Sequence, residues 1–279
     1  MNIDKKYYQE INENLTNTIQ DTNISAPNKK VGKVRDAYFL NDKVVMISTD
    51  RQSAFDRVLA AIPYKGAVLN SVSAWWFKKT EHLFPNHLIS TPDPNVSIVE
   101  KCTVFPVEFV VRGYITGTTD TSLWTVYNNG DREYCGNSLP EGLKKNDKLD
   151  KPMLTPTTKD KVHDRPVSRE EIIDLGLMSA EDYDLAAKMS LDLFAFGQET
   201  AKKNGLILVD TKYEIGTDSK GKIKFVDEIH TPDSSRFWIS SSYRDRINSG
   251  QEPENIDKEF LRLWFAKNCC LLYTSPSPR

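Results

Sequence analysis

Cysteine is scarce and poorly placed for chemistry. The 279 residues hold four, Cys102, Cys135, Cys269 and Cys270. None forms a CxxC pair, which argues against a zinc ribbon or a thioredoxin-type site. Their spacings suggest no disulfide framework, so free thiols in a reducing cytosol are expected. Long apolar runs are missing too. No window approaches the ~18 apolar residues of a membrane helix, and the most apolar stretches, 107–111 and 206–209, have strand length. The N-terminus, MNIDKKYYQEINENL, has no signal-peptide core or cleavage site, so a cytoplasmic protein is expected. A basic excess is absent: 37 Lys and Arg stand against 39 Asp and Glu, for a net charge of −2. That balance lacks the positive field of a protein that coats nucleic acid. With 13 Gly and 14 Pro, collagen-like and low-complexity classes fall away. Neither GxGxxG nor GxxxxGK[ST] occurs, so the two commonest glycine-rich phosphate loops are excluded.

What is present suits a globular chain. Hydrophobic residues make up 39% and charged residues 27%, enough to bury a core, and the length fits two domains. Residues 4–20 have the pattern of a polar amphipathic helix. Residues 36–39 and 44–48, joined through Asn41-Asp42, form an expected hairpin. Apolar spacing predicts a helix over 66–83, and β-branched residues predict strands at 98–100 and 107–112. Residues 128–166 are dense in Asn, Gly, Asp, Lys and Pro and are expected to be mostly irregular. Ser168 with Glu171 fits a capping box, and Ser179 with Asp182 a weaker one. The longest helix is expected over 182–204, closed by Gly205. Strands at 206–216 and 222–229 flank the turn Asp218-Ser219-Lys220-Gly221, and 260–267 is amphipathic. The class is α+β.

The strand LILVDTKYEIG, 206–216, carries the first chemical signal. Period-two alternation puts Asp210, Lys212 and Glu214 on one face. A solvated strand face is the ordinary explanation. Two features oppose it: residues 206–209 are apolar on both faces, as in a buried central strand, and polarity begins only toward the strand's end. Asp227, on the partner strand, joins that face for one parity of the hairpin register and leaves it for the other. Two converging carboxylates suit Mg²⁺, whose shell is completed by phosphates and water. A lysine between them suits a phosphate or carboxylate.

Other cations sit at turns. Thr231-Pro232-Asp233-Ser234 is a turn that holds Arg236 just beyond it, and His230 beside it has the position of a structural residue. KKVGKVRD places Lys33 and Arg35 at a glycine turn that can cradle phosphates, although a solvated basic run explains it equally well. VVRGYITGT places Arg112, a natural bidentate clamp, shortly before Gly117-Thr118. Together these groups fit an enzyme that handles a nucleoside triphosphate and a second, anionic substrate. They do not name that substrate.

Seven segments in order do so by likeness: GKVRDAY (32–38), STDRQSAFD (48–56), IPYKGAVLNSVSAWWF (62–77), VVRGYITGT (110–118), TPTTKDKVHD (155–164), LVDTKYEIG (208–216) and DEIHTPDSSRFW (227–238). Across residues 25–268 the chain resembles the SAICAR synthetases of purine biosynthesis. The resemblance implies a two-lobed α+β fold. A β-rich lobe like the protein-kinase small lobe would span 1–107, an ATP-grasp-like α+β lobe 108–270, and 271–279 would lie outside the fold, with ATP between the lobes. The implied reaction joins carboxyaminoimidazole ribonucleotide to L-aspartate through an acyl phosphate, releasing ADP and phosphate.

By the same resemblance, Lys33 and Arg35 meet ATP, Glu214 and Asp227 hold Mg²⁺, and Arg112, Thr118 and Arg236 grip the ribonucleotide phosphate. Asp210 and Lys212 act beside the imidazole carboxylate. Ser53 and Asp56 face the aspartate or ribonucleotide, and His163-Asp164 is a recurring pair without an assigned role. The implied partners are small molecules, neither nucleic acid nor membrane, with monomer or homo-oligomer left open. Removing Lys212 should abolish turnover with folding nearly intact. One alternative is a small-molecule kinase, which would need an HRD-type base that is absent. Another is a catalytically impaired fragment that retains nucleotide binding.

Overall fold

The computed structural model describes residues 5–26, 28–54, 57–159 and 164–268. The chain divides into two compact units. One comprises Met1–Lys78, His87–Lys101 and Phe260–Arg279, the other Lys79–Asn86 and Cys102–Glu259.

In the first unit, α1 (Lys5–Glu13) precedes β1 (Lys29–Val31), β2 (Arg35–Phe39) and β3 (Lys43–Ser48). The short strands β4 (Arg51–Ala54) and β5 (Arg57–Ala61) pair with each other, and α2 (Lys65–Thr80) leads to β6 (Leu88–Asp93) and β7 (Val96–Glu100). The main sheet is antiparallel with order β1-β2-β3-β7-β6. The expected hairpin is β2–β3, closed by Leu40 N–H donating to Lys43 O at 2.9 Å. The first helix is shorter than the 4–20 expected. Asn14 turns its side chain back to Glu10 O at 2.8 Å and Asn17 bonds Asn14 at 3.3 Å, the local competition by which asparagine ends helices.

The second unit is built on two 12-residue strands, β8 (Thr103–Tyr114) and β13 (Leu206–Thr217). Between them come α3 (Leu123–Asn128), β9 (Glu133–Tyr134), β10 (Asn137–Ser138), β11 (Lys148–Leu154), β12 (Thr157–Thr158), α4 (Arg169–Asp174) and α5 (Ala180–Lys203). After β13 come β14 (Ile223–Val226), β15 (Ser235–Ile239) and α6 (Ser240–Asn248); α7 (Glu259–Asn268) starts on the last residue of this unit and otherwise belongs to the first. The sheet runs β11-β8-β13-β14, with β12 on β8 and β15 on β13, all pairings antiparallel. One face carries buried Val107, Phe109, Val111, Tyr213 and Ile215. Helix α5 packs on these strands, with Tyr183 against Phe109 at 5.6 Å between ring centres. The face opposite carries Glu108, Arg112, Asp210, Lys212 and Glu214.

Local chemistry explains the boundaries. The Ser168–Glu171 capping box is present in both directions. Ser179 accepts Asp182 N–H and starts α5 two residues earlier than the helical pattern indicates. Segment 128–166 is more ordered than its composition suggests. Tyr134, Leu139 and Leu149 join Ile115, Leu123 and Tyr127 in a buried cluster, and the Asn137 amide donates to the Tyr134, Cys135 and Leu154 carbonyls. The second strand of the 206–229 hairpin ends at Val226, three residues short of the 229 expected. Asp227 adopts a left-handed backbone with φ 64° and breaks the ladder there. The mixed α+β class is as expected. Among the described residues no helix is long and apolar enough to cross a membrane.

Candidate active site

The polar face is assembled by register. Across β8 and β13, Arg112 pairs with Asp210, Val110 with Lys212 and Glu108 with Glu214, while Arg236 of β15 pairs with Asp210 from the other side. Directly opposed residues share a face. Three strands, β8, β13 and β15, thus present one row of charges.

At one end of the row stands an arginine cluster. Arg236 Nη1 donates to Asp210 Oδ2 at 2.5 Å, and Arg112 Nη1 lies 4.0 Å from the same oxygen. Arg112 Nε is turned to Thr155 Oγ1 at 2.9 Å. Asp210 therefore aligns two guanidinium groups from opposite sides. Burial acts against the Arg236 charge, but Asp210 and Glu259 outweigh it and hold the group protonated. Arg236 Nε is buried without a hydrogen-bond partner. An orphaned buried donor is costly unless something accepts from it, and an anion at this point would do so. Thr118 joins the cluster through Glu259, donating to its Oε1 at 3.1 Å, while Glu259 Oε2 lies 3.7 Å from Arg236 Nη2. Gly117, at φ 110°, makes that loop fit: a Cβ there would stand 2.4 Å from the Ser122 Cβ.

Two residues further along β13 lies a lysine–carboxylate cluster. Lys212 Nζ bridges Glu108 Oε1 at 2.7 Å and Glu214 Oε1 at 3.0 Å, and Lys159 binds the other Glu214 oxygen. Burial alone would lower the Lys212 pKa. Glu214, Glu108 and Asp227 overcome it and raise the value, so the ammonium persists. Burial would raise Glu214, and Lys212 and Lys159 bring it below its ordinary value instead. Asp227 thus shares the electrostatic field of Lys212 and Glu214. Register pairs Glu214 with Val226, so a straight strand would turn Asp227 to the other face, but the strand ends at Val226 and Asp227 has a left-handed backbone. Among the described residues no group of three or more His, Cys, Asp or Glu is arranged to hold a metal ion. Magnesium asks for less, one or two carboxylates with phosphates and water, and Glu214 with Asp227 fits that donor set.

Other expected positions fall elsewhere. Lys33 and Arg35 belong to the first unit, at the turn between β1 and β2. Arg51 ties this turn down by donating to Gly32 O at 3.0 Å and Lys33 O at 3.2 Å. Ser53 is buried in β4, paired with Val58 of β5. Asp56 and His163 lie outside the described residues, as do Cys269, Cys270 and 271–279; Asp164 is exposed. His230 is structural, its Nε2 bonded to the Tyr213 hydroxyl in the core. Burial pushes the Cys135 thiol up to about 11.

Sequence reasoning overlooked Glu108, Lys159 and Glu259. Glu108 was discoverable, since it shares period-two parity with Arg112 inside an apolar strand. Lys159 and Glu259 carry no such signal, because loop and helix-start geometry bring them in.

The sequence profile of the SAICAR synthetase family matches residues 28–274. A phosphoribosylaminoimidazole-succinocarboxamide synthase of Legionella pneumophila is 59% identical over 251 residues, covering 90% of this chain and 80% of the relative. The chloroplastic synthase of Vigna aconitifolia is 57% identical over 260 residues, covering 91% and 76%. Among solved structures, the Saccharomyces cerevisiae SAICAR synthase complexed with SAICAR superposes with a TM-score of 0.77 at 32% identity, covering 94% of this chain and 91% of that one. A SAICAR synthetase in complex with ADP gives 0.70 at 25% identity, covering 90% and 100%. A profile match over most of the chain, near-60% identity and the shared fold agree: the chain belongs to the SAICAR synthetase family, ligases of purine biosynthesis.

Proposed function

We infer that this chain is an ATP-dependent C–N ligase that joins carboxyaminoimidazole ribonucleotide to L-aspartate and releases ADP and phosphate. The observation that carries this reading is the charge row on one sheet face: two arginines aligned by Asp210, one with an unsatisfied buried donor, next to a lysine held between carboxylates. Arg112, Thr118 and Arg236 hold the ribonucleotide phosphate, with Asp210 aligning the arginines. That anchoring places the imidazole carboxylate toward Lys212. Lys212 stays protonated, so it serves as a fixed positive charge rather than a base.

A carboxylate oxygen attacks the γ-phosphorus of ATP, the bond to the β-phosphate oxygen breaks, and ADP leaves. The aspartate amine then attacks the acyl carbon; its N–H proton is lost and inorganic phosphate departs with the bridging oxygen. Positioning and charge neutralisation do most of the work in such a transfer. Glu214 and Asp227 would hold Mg²⁺, which when bound neutralises phosphate oxygens. Lys33 and Arg35 meet the ATP phosphates, and Ser53 and Asp56 the aspartate or ribonucleotide. A kinase-small-lobe-like region over 1–107, an ATP-grasp-like region over 108–270 and a cytoplasmic location belong to the same proposal. Relatives bearing SAICAR or ADP support the substrate class. The family match over residues 28–274 favours a working ligase over an impaired fragment.

The acyl phosphate is tested with ribonucleotide labelled with ¹⁸O in its carboxylate. One label per turnover should appear in inorganic phosphate. Phosphate free of label would refute the route.

A further inference from the structure

Each oxygen of Glu214 already meets an ammonium. Lys212 Nζ donates to Oε1 at 3.0 Å, and Lys159 Nζ donates to Oε2. The two lysines are not equivalent. Lys212 stands in the middle of β13 and bridges two carboxylates, so it keeps Glu108, at 2.7 Å, when Glu214 is withdrawn from it. Lys159 has no role in the reaction just described. It follows the short strand β12, where Thr157 pairs with Glu108 of β8, and its N–H donates to Pro106 O at 3.1 Å. The base of the side chain is thereby fixed beside the cluster, and its length carries the ammonium to Glu214. The Lys159 side chain is 27% exposed, so its charge can return to water without opening the sheet.

That pairing sets up a competition. An ionised carboxylate offers acceptor oxygens only, and Mg²⁺ is held through such oxygens. Lys159 and a divalent ion therefore seek the same atom. At a given separation a unit charge repels a divalent ion twice as strongly as it repels another unit charge. An ammonium left on Glu214 thus opposes metal binding, and one of the two lysines has to withdraw. Lys212 is retained by its second carboxylate, which leaves Lys159. We propose that Lys159 is a competitor for the metal carboxylate: its ammonium neutralises Glu214 and cedes Oε2 to a divalent cation, and it thereby holds down the affinity of the protein for the metal alone. The inference rests on the reading of Glu214 as a Mg²⁺ ligand. The exchange keeps a cation on Glu214 throughout, so this largely buried carboxylate, packed close to Glu108, never stands uncompensated.

The test is metal binding to the full chain with no nucleotide or ribonucleotide added. Mn²⁺ is the probe, because it suits the same oxygen donors as Mg²⁺ and its free ion is counted by electron paramagnetic resonance. Lys159→Met should lower the Mn²⁺ Kd at least tenfold, or turn binding too weak to measure into measurable binding. Lys159→Gln removes the same charge, should act in the same direction, and serves if the methionine variant folds poorly. An unchanged or raised Kd in the folded variants, or no measurable binding in any of them, would overturn the proposal. Glu214→Gln separates the two layers. If it raises the wild-type Kd tenfold or more while Lys159→Met changes nothing, the metal reading stands and the competition falls. If Glu214→Gln added to Lys159→Met leaves the tightened binding intact, the metal lies elsewhere, and the metal reading falls with the competition.

Discussion

Replacing Lys212 with methionine leaves Glu108 and Glu214 opposed across the β8–β13 ladder, with Lys159 as the remaining cation on Glu214. The lost contacts are 2.7 and 3.0 Å long. Removing one partner of a fully buried ion pair costs about 3–5 kcal/mol, and of an exposed pair about 0–1 kcal/mol. The Lys212 side chain is 34% exposed and the glutamates 12% and 18%, so about 2 kcal/mol is expected at pH 7. Because Lys212 bridges the carboxylates of two strands, its removal is expected to cost stability as well as turnover.

The sign of the pH dependence follows from Glu214. Burial alone would raise its pKa, and Lys212 with Lys159 holds it below the ordinary 4.5. In the wild type that contribution is present above pH 4.5 and is lost as pH falls through the lower folded value. Without Lys212 the folded value of Glu214 rises, so the variant's deficit should be full at pH 7 and shrink below about pH 5 as Glu214 protonates. Urea denaturation of both proteins at pH 7 and pH 4.5 measures this. A deficit under ~0.5 kcal/mol at pH 7, or an equal deficit at both values, would refute the electrostatic reasoning.

Two more outcomes concern the core beneath the site. Burial lowers His230 from 6.5 to about 3, so it is neutral in the fold while the unfolded chain takes up a proton below pH 6.5. Its contribution is complete above pH 6.5 and falls by up to about 1.4 kcal/mol per unit below it. The stability difference between wild type and His230→Gln should therefore shift by about 2 kcal/mol between pH 7 and pH 5; a difference constant over that range would contradict the assignment. Gly197→Ala places a Cβ 2.4 Å from His230 Cε1 and 2.8 Å from Leu208 Cδ2. Overpacking of about 1–3 kcal/mol should exceed the ~1 kcal/mol gained from helix propensity, giving a lower urea midpoint, whereas a higher one would show that α5 and His230 move apart freely.

Much of this architecture was legible because local rules sufficed. The β2–β3 hairpin, the Ser168–Glu171 box and the alternation that puts Asp210, Lys212 and Glu214 on one face all depend on near neighbours in the chain. Their outcomes match. Residues that meet over long separations were harder to read. Glu259 reaches Thr118 from 141 residues away, and Lys159 reaches Glu214 from a loop. Period-two alternation did not reach Asp227, because the strand ends at Val226 and its own backbone is left-handed. Segment 128–166 hid a core cluster because its buried residues, such as Tyr134, Leu139 and Leu149, are spaced singly among polar ones.

The most direct measurement is ADP release in the presence of Mg²⁺, ATP and carboxyaminoimidazole ribonucleotide, with and without L-aspartate, and the succinocarboxamide product quantified in parallel. Sustained ADP release should require both the ribonucleotide and aspartate, with one product formed per ADP. Equal steady ADP release without aspartate, or turnover without the succinocarboxamide, would contradict a ligase acting through this charge row.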